Sequence, residues 1–148
     1  MRVKNTFGPD VVLEFLGAVC KTLRATVGIE AVAAQIGPIG SRPTPTVAIR
    51  MDLDGDVRGP VTWVFPPQVA LELVRRLLDD PDPDPSAATD GATELANILT
   101  GRAAAALEAN GFKCEFGPPY QSSDETPPGI AARLSTDAGP IDVVLSLT

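Results

Sequence analysis

The sequence predicts an α+β fold: a helix-plus-three-strand unit, present twice, whose strands merge into one largely antiparallel sheet with the long helices packed on one face. Three observations predict it. Two long stretches with helical apolar spacing each stop at a glycine, Gly28 and Gly111. Each is followed by three short strand-like segments. A constant offset of 83 residues then lays one half over the other, Leu16 on Leu99, Gly28 on Gly111, Pro45 on Pro128, Ala48 on Ala131, Arg50 on Arg133, Asp54 on Asp137 and Val61 on Val144.

The elements follow in order. Residues 7–27 place Val11, Val12, Phe15, Leu16, Val19, Leu23 and Val27 at helical spacing. Strands are predicted at 31–36, 47–53 and 57–65, with Asp54-Gly55-Asp56 as a tight hairpin turn between the last two. Trp63 alternates with Val61 and Phe65 and is read as core. Pro66 and Pro67 open a helix that runs to about residue 78. The acidic, proline-rich run that follows cannot continue a helix or form a central strand. A long helix is predicted over 88–110, then strands at 112–116, 130–136 and 141–147. Residues 1–148 are thus read as one domain. Its internal repeat covers about 7–66 and 88–148, joined by the helix 67–78 and the Asp/Pro linker 79–87.

Composition excludes several functions. With 44% hydrophobic and 21% charged residues over 148 positions, the chain has enough apolar surface for one core. No apolar run reaches the length of a membrane span, and the N-terminus lacks a signal core, so a cytoplasmic protein is expected. A net charge of −7 argues against a nucleic-acid partner. There is no histidine, which removes Ser-His-Asp and Cys-His chemistry and the commonest metal ligand. Cys20 and Cys114 lack metal-ligand spacing and are read as reduced thiols. Asp52-x-Asp54-Gly55-Asp56 resembles the start of a calcium loop, but Trp63 falls at the twelfth loop position, where a glutamate is needed.

The candidate site is the run from Glu94 to Gly101. At about 100° per residue, Glu94 and Asn97 share one helix face. Leu95, Leu99, Ala103, Ala106 and Leu107 cluster on the other. Gly101, Ala104 and Ala105 fall near the acid and amide, leaving a face with two functional groups and little bulk. Such a face suits close approach by another protein. The offset of 83 puts Val11 under Glu94 and Glu14 under Asn97, so the pair exists once, in the second half.

These residues resemble the CheC/CheX class of chemotaxis phosphatases, most closely the CheX-like branch. The shared features are the duplicated unit, Glu94-x-x-Asn97 with Gly101 following, and the hairpin around Gly55-Asp56-Val57-Arg58-Gly59-Pro60-Val61. One motif, in the second half only, matches the CheX-like pattern. The resemblance implies a phosphatase acting on the phospho-aspartate of a response-regulator receiver domain such as CheY. It gives Glu94 a salt bridge to a receiver lysine, Asn97 the orientation of the attacking water, and Gly101 a place in the partner contact. It implies no cofactor of the chain's own, with Mg²⁺ carried by the receiver, and a strand-mediated homodimer. Two other readings remain: an adaptor of the same fold that binds a receiver without hydrolysis, and a duplicated scaffold that uses the other sheet face.

Overall fold

The computed structural model describes residues 8–38, 46–121 and 128–147; Phe7 and Pro45, which the sequence reading uses, lie outside the described residues. Helix α1 (Pro9–Val27) opens on a proline, whose fixed φ suits the first helical position, and stops at Gly28. There φ is 68°, and the Gly28 and Ile29 N–H groups donate to the Arg24 and Leu23 carbonyls. Strands β1 (Ala31–Pro38), β2 (Val47–Gly55) and β3 (Gly59–Phe65) follow, then α2 (Pro67–Leu78) and α3 (Ala87–Ala109). The second half finishes with β4 (Cys114–Phe116), β5 (Tyr120–Gln121), β6 (Ile130–Thr136) and β7 (Ile141–Leu145). The two-residue β5 has too little pattern to be read from sequence. No helix among the described residues is long and apolar enough to cross a membrane.

All strands join one antiparallel sheet in the order β1-β6-β7-β3-β2-β4, with β5 also paired to β2. Exchanging the two halves reads this path backwards: β1 takes the place of β4, β6 of β2 and β7 of β3. The first strand of each half therefore pairs with the other half. This is the predicted α+β class, with the duplication written into the sheet. Helices α1, α2 and α3 pack on one face, over Ile49, Met51, Leu53, Val61, Trp63, Phe65, Leu134, Ile141, Val143 and Leu145.

The repeat does not keep one offset. Buried Ile49 and Met51 match buried Ala132 and Leu134 at the expected 83. In the central pair, Val61, Trp63 and Phe65 share the core face with Ile141, Val143 and Leu145, an offset of 80. Val61 thus corresponds to Ile141, and the sequence match of Val61 to Val144 falls on the wrong face. The cause is the hairpin. Its first copy runs from Asp54 to Arg58, longer than the tight turn expected at 54–56. Asp56 holds it open by bonding Lys113 through both its own N–H (2.7 Å) and its carboxylate (2.9 Å). Those bonds tie the β2–β3 hairpin to the segment leaving α3.

On the opposite sheet face, Arg133 and Asp142 form a bidentate cross-strand pair at 2.8 and 2.9 Å. Their counterparts in the first half are Arg50 and Thr62, directly paired in register. With no carboxylate there, Arg50 turns toward the Tyr120 ring (6.0 Å) and Asp52 (3.8 Å). Thr62 is fully buried with its Oγ1 unpaired. An unpaired buried hydroxyl costs about 1–3 kcal/mol. Thr62→Val should therefore raise stability by about 1 kcal/mol and the melting temperature by roughly 2–4 °C. Loss of stability in a urea titration would show that this hydroxyl has a partner.

Candidate functional site on helix α3

The site depends on how α3 is rotated, and three contacts set that rotation. Near its start, Gly91 sits against α2: a Cβ there would run into the buried Val74 side chain, so glycine is what fits. In its middle, the Trp63 indole N–H donates to Thr100 Oγ1 at 2.9 Å in a fully buried bond. Trp63 also stacks on Phe15 of α1, with ring centroids 6.1 Å apart. Beyond the middle, a Cβ on Gly101 would meet the ring tip of Phe116 at 3.3 Å. Leu95, Ala96, Leu99, Ala103 and Leu107 fill the buried side.

With that side fixed, Glu94 is exposed and Asn97 half-buried on the outer side. Neither side chain has a hydrogen-bond or ion-pair partner among the described residues. Asp90, Ala105 and Glu108 continue the exposed stripe. Two expectations need correction. Ala104 is buried, so the bare face is narrower than its spacing implied. Gly101 is half-buried, and the space left by its missing side chain is taken by Phe116 of the same chain. Phe116 is the residue that sequence reasoning missed. Its signal was an aromatic in an edge strand, two residues after the inward-facing Cys114.

Burial also corrects how the two helices correspond. The buried set Val11, Val12, Phe15, Leu16, Val19 and Leu23 matches Leu95, Ala96, Leu99, Thr100, Ala103 and Leu107 at an offset of 84. Asp10, Leu13 and Gly17 of α1 therefore stand where α3 has Glu94, Asn97 and Gly101, and all three are exposed. The first half keeps an acid and a glycine and has a leucine in place of the amide. A single acid–amide pair remains, but its counterpart differs from the Val11 and Glu14 given by the sequence offset.

No cluster of three or more metal-ligating side chains occurs among the described residues. Both cysteines are free. Burial pushes the Cys114 thiol up to about 11, with the Glu108 charge adding to it, and burial also raises Cys20. Both are protonated and poorly nucleophilic at neutral pH.

Residues 47–128 match the family described as chemotaxis phosphatase CheX. The chain belongs to that family. Its fold is shared with CheX from Desulfovibrio desulfuricans, at 24% identity over 94% of this chain and 99% of the other, with a TM-score of 0.75. It is also shared with a CheC-like superfamily protein from Shewanella (19% identity, 93% and 96% covered, TM-score 0.75). A third similar structure is a CheX–CheY–BeF₃–Mg²⁺ complex from Borrelia burgdorferi (22% identity, 93% of this chain and 97% of the matched chain, TM-score 0.70). Among curated proteins there is no match.

The Trp63–Thr100 bond is separable from simple packing. Thr100→Val and Trp63→Phe each strand one polar group or empty space, at about 1–3 kcal/mol or more. The double variant should lose less than the sum by about 1 kcal/mol, read from a chemical-denaturation cycle. Additive losses would show that the bond contributes nothing of its own.

Proposed function

We propose that this protein dephosphorylates the phospho-aspartate of a CheY-like receiver domain, with Glu94 and Asn97 as its working side chains. The observation that carries the reading is their outward placement on α3 with no side-chain partner among the described residues, in a chain of the CheX family. A carboxamide both donates and accepts, so Asn97 can hold a water with its lone pair toward phosphorus. An acyl phosphate is already activated, and the receiver's Mg²⁺ screens its oxygens. What remains is to place that water in line. Glu94 pairs with a receiver lysine and fixes the docking angle; it needs no altered pKa for that task. The chain supplies no metal or general base in this scheme.

The proposed assembly is a homodimer through β1. Among the described residues that strand is bonded only to β6, and it exposes Val32 (66%) and Ile36. Beside it lies an apolar cleft of about 280 Å³ lined by Gly8, Pro9, Val12, Leu13, Ile36 and Ile130. The edge is at the far end of the sheet from β4, so pairing there leaves the α3 face open. Val32→Lys with Ile36→Lys should give monomers in sedimentation equilibrium; a wild type that is monomeric at high concentration removes the dimer from the scheme.

The chemical reading is tested with purified protein and a panel of phosphorylated receivers, following phosphate release. Asn97→Ala should lower the accelerated rate by about 100-fold or more while receiver binding persists. Glu94→Ala should act mainly on KM, by about tenfold. Wild-type binding with no acceleration of any receiver would make the chain an adaptor instead.

A further inference from the structure

We propose that Phe116 sets affinity and selectivity for the receiver, an exposed aromatic knob seated on Gly101 one turn beyond Asn97; this rests on the receiver-directed reading above. Gly101 is then glycine because it seats that ring, and the partner touches the ring.

The placement is specific. Along an α-helix four residues rise about 6 Å, so the ring's seat lies that far from Asn97 on the same outer stripe. Phe116 is 43% exposed. Among the described residues the other large exposed apolar side chains are elsewhere: Leu13, Val32 and Ile36 lie at the β1 end, Leu78 ends α2, and Tyr120 lies over Arg50 on the opposite sheet face. Phe116 alone of this set borders the acid–amide face.

The ring is also held in advance. Its strand is pinned before it by the two Asp56–Lys113 bonds and after it by the Gly117 N–H to the Asp52 carbonyl at 3.0 Å. Phe116 itself pairs with buried Leu53 in the ladder. A rigid, half-exposed aromatic loses little freedom on docking, which is why such residues dominate interface energetics.

The duplication supplies an internal control. The first half has the same glycine, Gly17, but nothing lies within 4 Å of where its Cβ would be. The ladder partner of Phe116 is Leu53, whose counterpart Thr136 pairs with Ala31. The half without the amide therefore has alanine where the half with it has phenylalanine. A merely structural plug for a helical glycine would be expected in both halves.

The occupant is the receiver surface beside the phosphorylation pocket, and it must offer an apolar hollow roughly one helical turn from the point where Asn97 enters. Receivers with that hollow are favoured over those with a charge there.

The test is steady-state dephosphorylation with a fixed receiver, together with calorimetric binding and a thermal melt of each variant. Phe116→Ala should raise KM about tenfold with kcat within about twofold, and Phe116→Leu should recover part of the loss. Gly101→Ala, which needs the ring to give by only a few tenths of an ångström, should raise KM less than Phe116→Ala does and have no further effect in the Phe116→Ala background. An unchanged KM in Phe116→Ala overturns the proposal. So does an equal Gly101→Ala penalty in both backgrounds, which would mean that the partner touches the glycine directly. If the wild type binds receivers without hydrolysing them, the catalytic reading fails by itself. Phe116→Ala must then still weaken binding about tenfold, and undiminished binding overturns this inference independently. If the wild type binds no receiver, both fall.

Discussion

The buried bond from Trp63 to Thr100 is the constraint from which the site follows. Trp63 lies in the central strand β3, opposite Val143 of β7, at the point where the two halves of the sheet meet. Its ring stacks on Phe15 of α1, and its N–H is spent on α3. A buried indole N–H without an acceptor is expensive, so the helix must present Thr100 to it. Successive residues turn by about 100°, so choosing the residue that faces inward also chooses the one that faces outward. With Thr100 turned to the core, Asn97, about 60° round the helix, falls at the edge of the buried side and is half-buried, and Glu94, about 120° round, is exposed.

Duplication built the sheet, and divergence in small increments made the halves unequal. The offset is 84 between the helices, 83 between β2 and β6 and 80 between β3 and β7, read from matched burial. Asp142 has Thr62 as its counterpart, so Arg50 has no carboxylate across the strand and pairs with Asp52 of its own strand at 3.8 Å instead. On the helices, Leu13 stands in place of Asn97. The leucine is exposed and lines the apolar cleft beside β1. The same helix face thus carries a polar amide in one half and apolar surface in the other. The first suits a phosphorylated pocket. The second suits burial against another chain.

Much of the architecture was legible because it rests on local rules. Helical spacing, glycine stops and prolines at first-turn positions placed α1, α2 and α3 to within a residue or two. Six of the strands were placed as well, though the β2–β3 turn was drawn too short. The repeat was legible where no insertion intervened, as at Arg50 and Arg133. It misled across the hairpin, because a shift by an odd number of residues in a strand reverses its faces. That Glu94 and Asn97 share the outer side of one helix was legible from spacing, while the roles proposed for them come from the family resemblance. Their neighbours were not legible, since Gly91 against Val74 and Gly101 against Phe116 join elements far apart in sequence. A glycine in a helix signals a close approach, but sequence does not say by what.

That distinction bears on how such a sparse site can be effective. Dephosphorylating an acyl phosphate demands placement of a water more than acid–base power, so two ordinary side chains suffice if the helix carrying them does not move. Helix α3 is fixed at Gly91, Thr100 and Gly101 by α2, β3 and β4 in turn. The first of these contacts depends on the absence of a side chain, the second on a hydroxyl, and the third brings a ring against a bare stretch of helix. The low bulk of the helix, which first reads as a surface cleared for a partner, is therefore largely spent on holding the helix itself. What remains for the proposed partner is the narrow strip of Glu94 and Asn97, with Phe116 at its border.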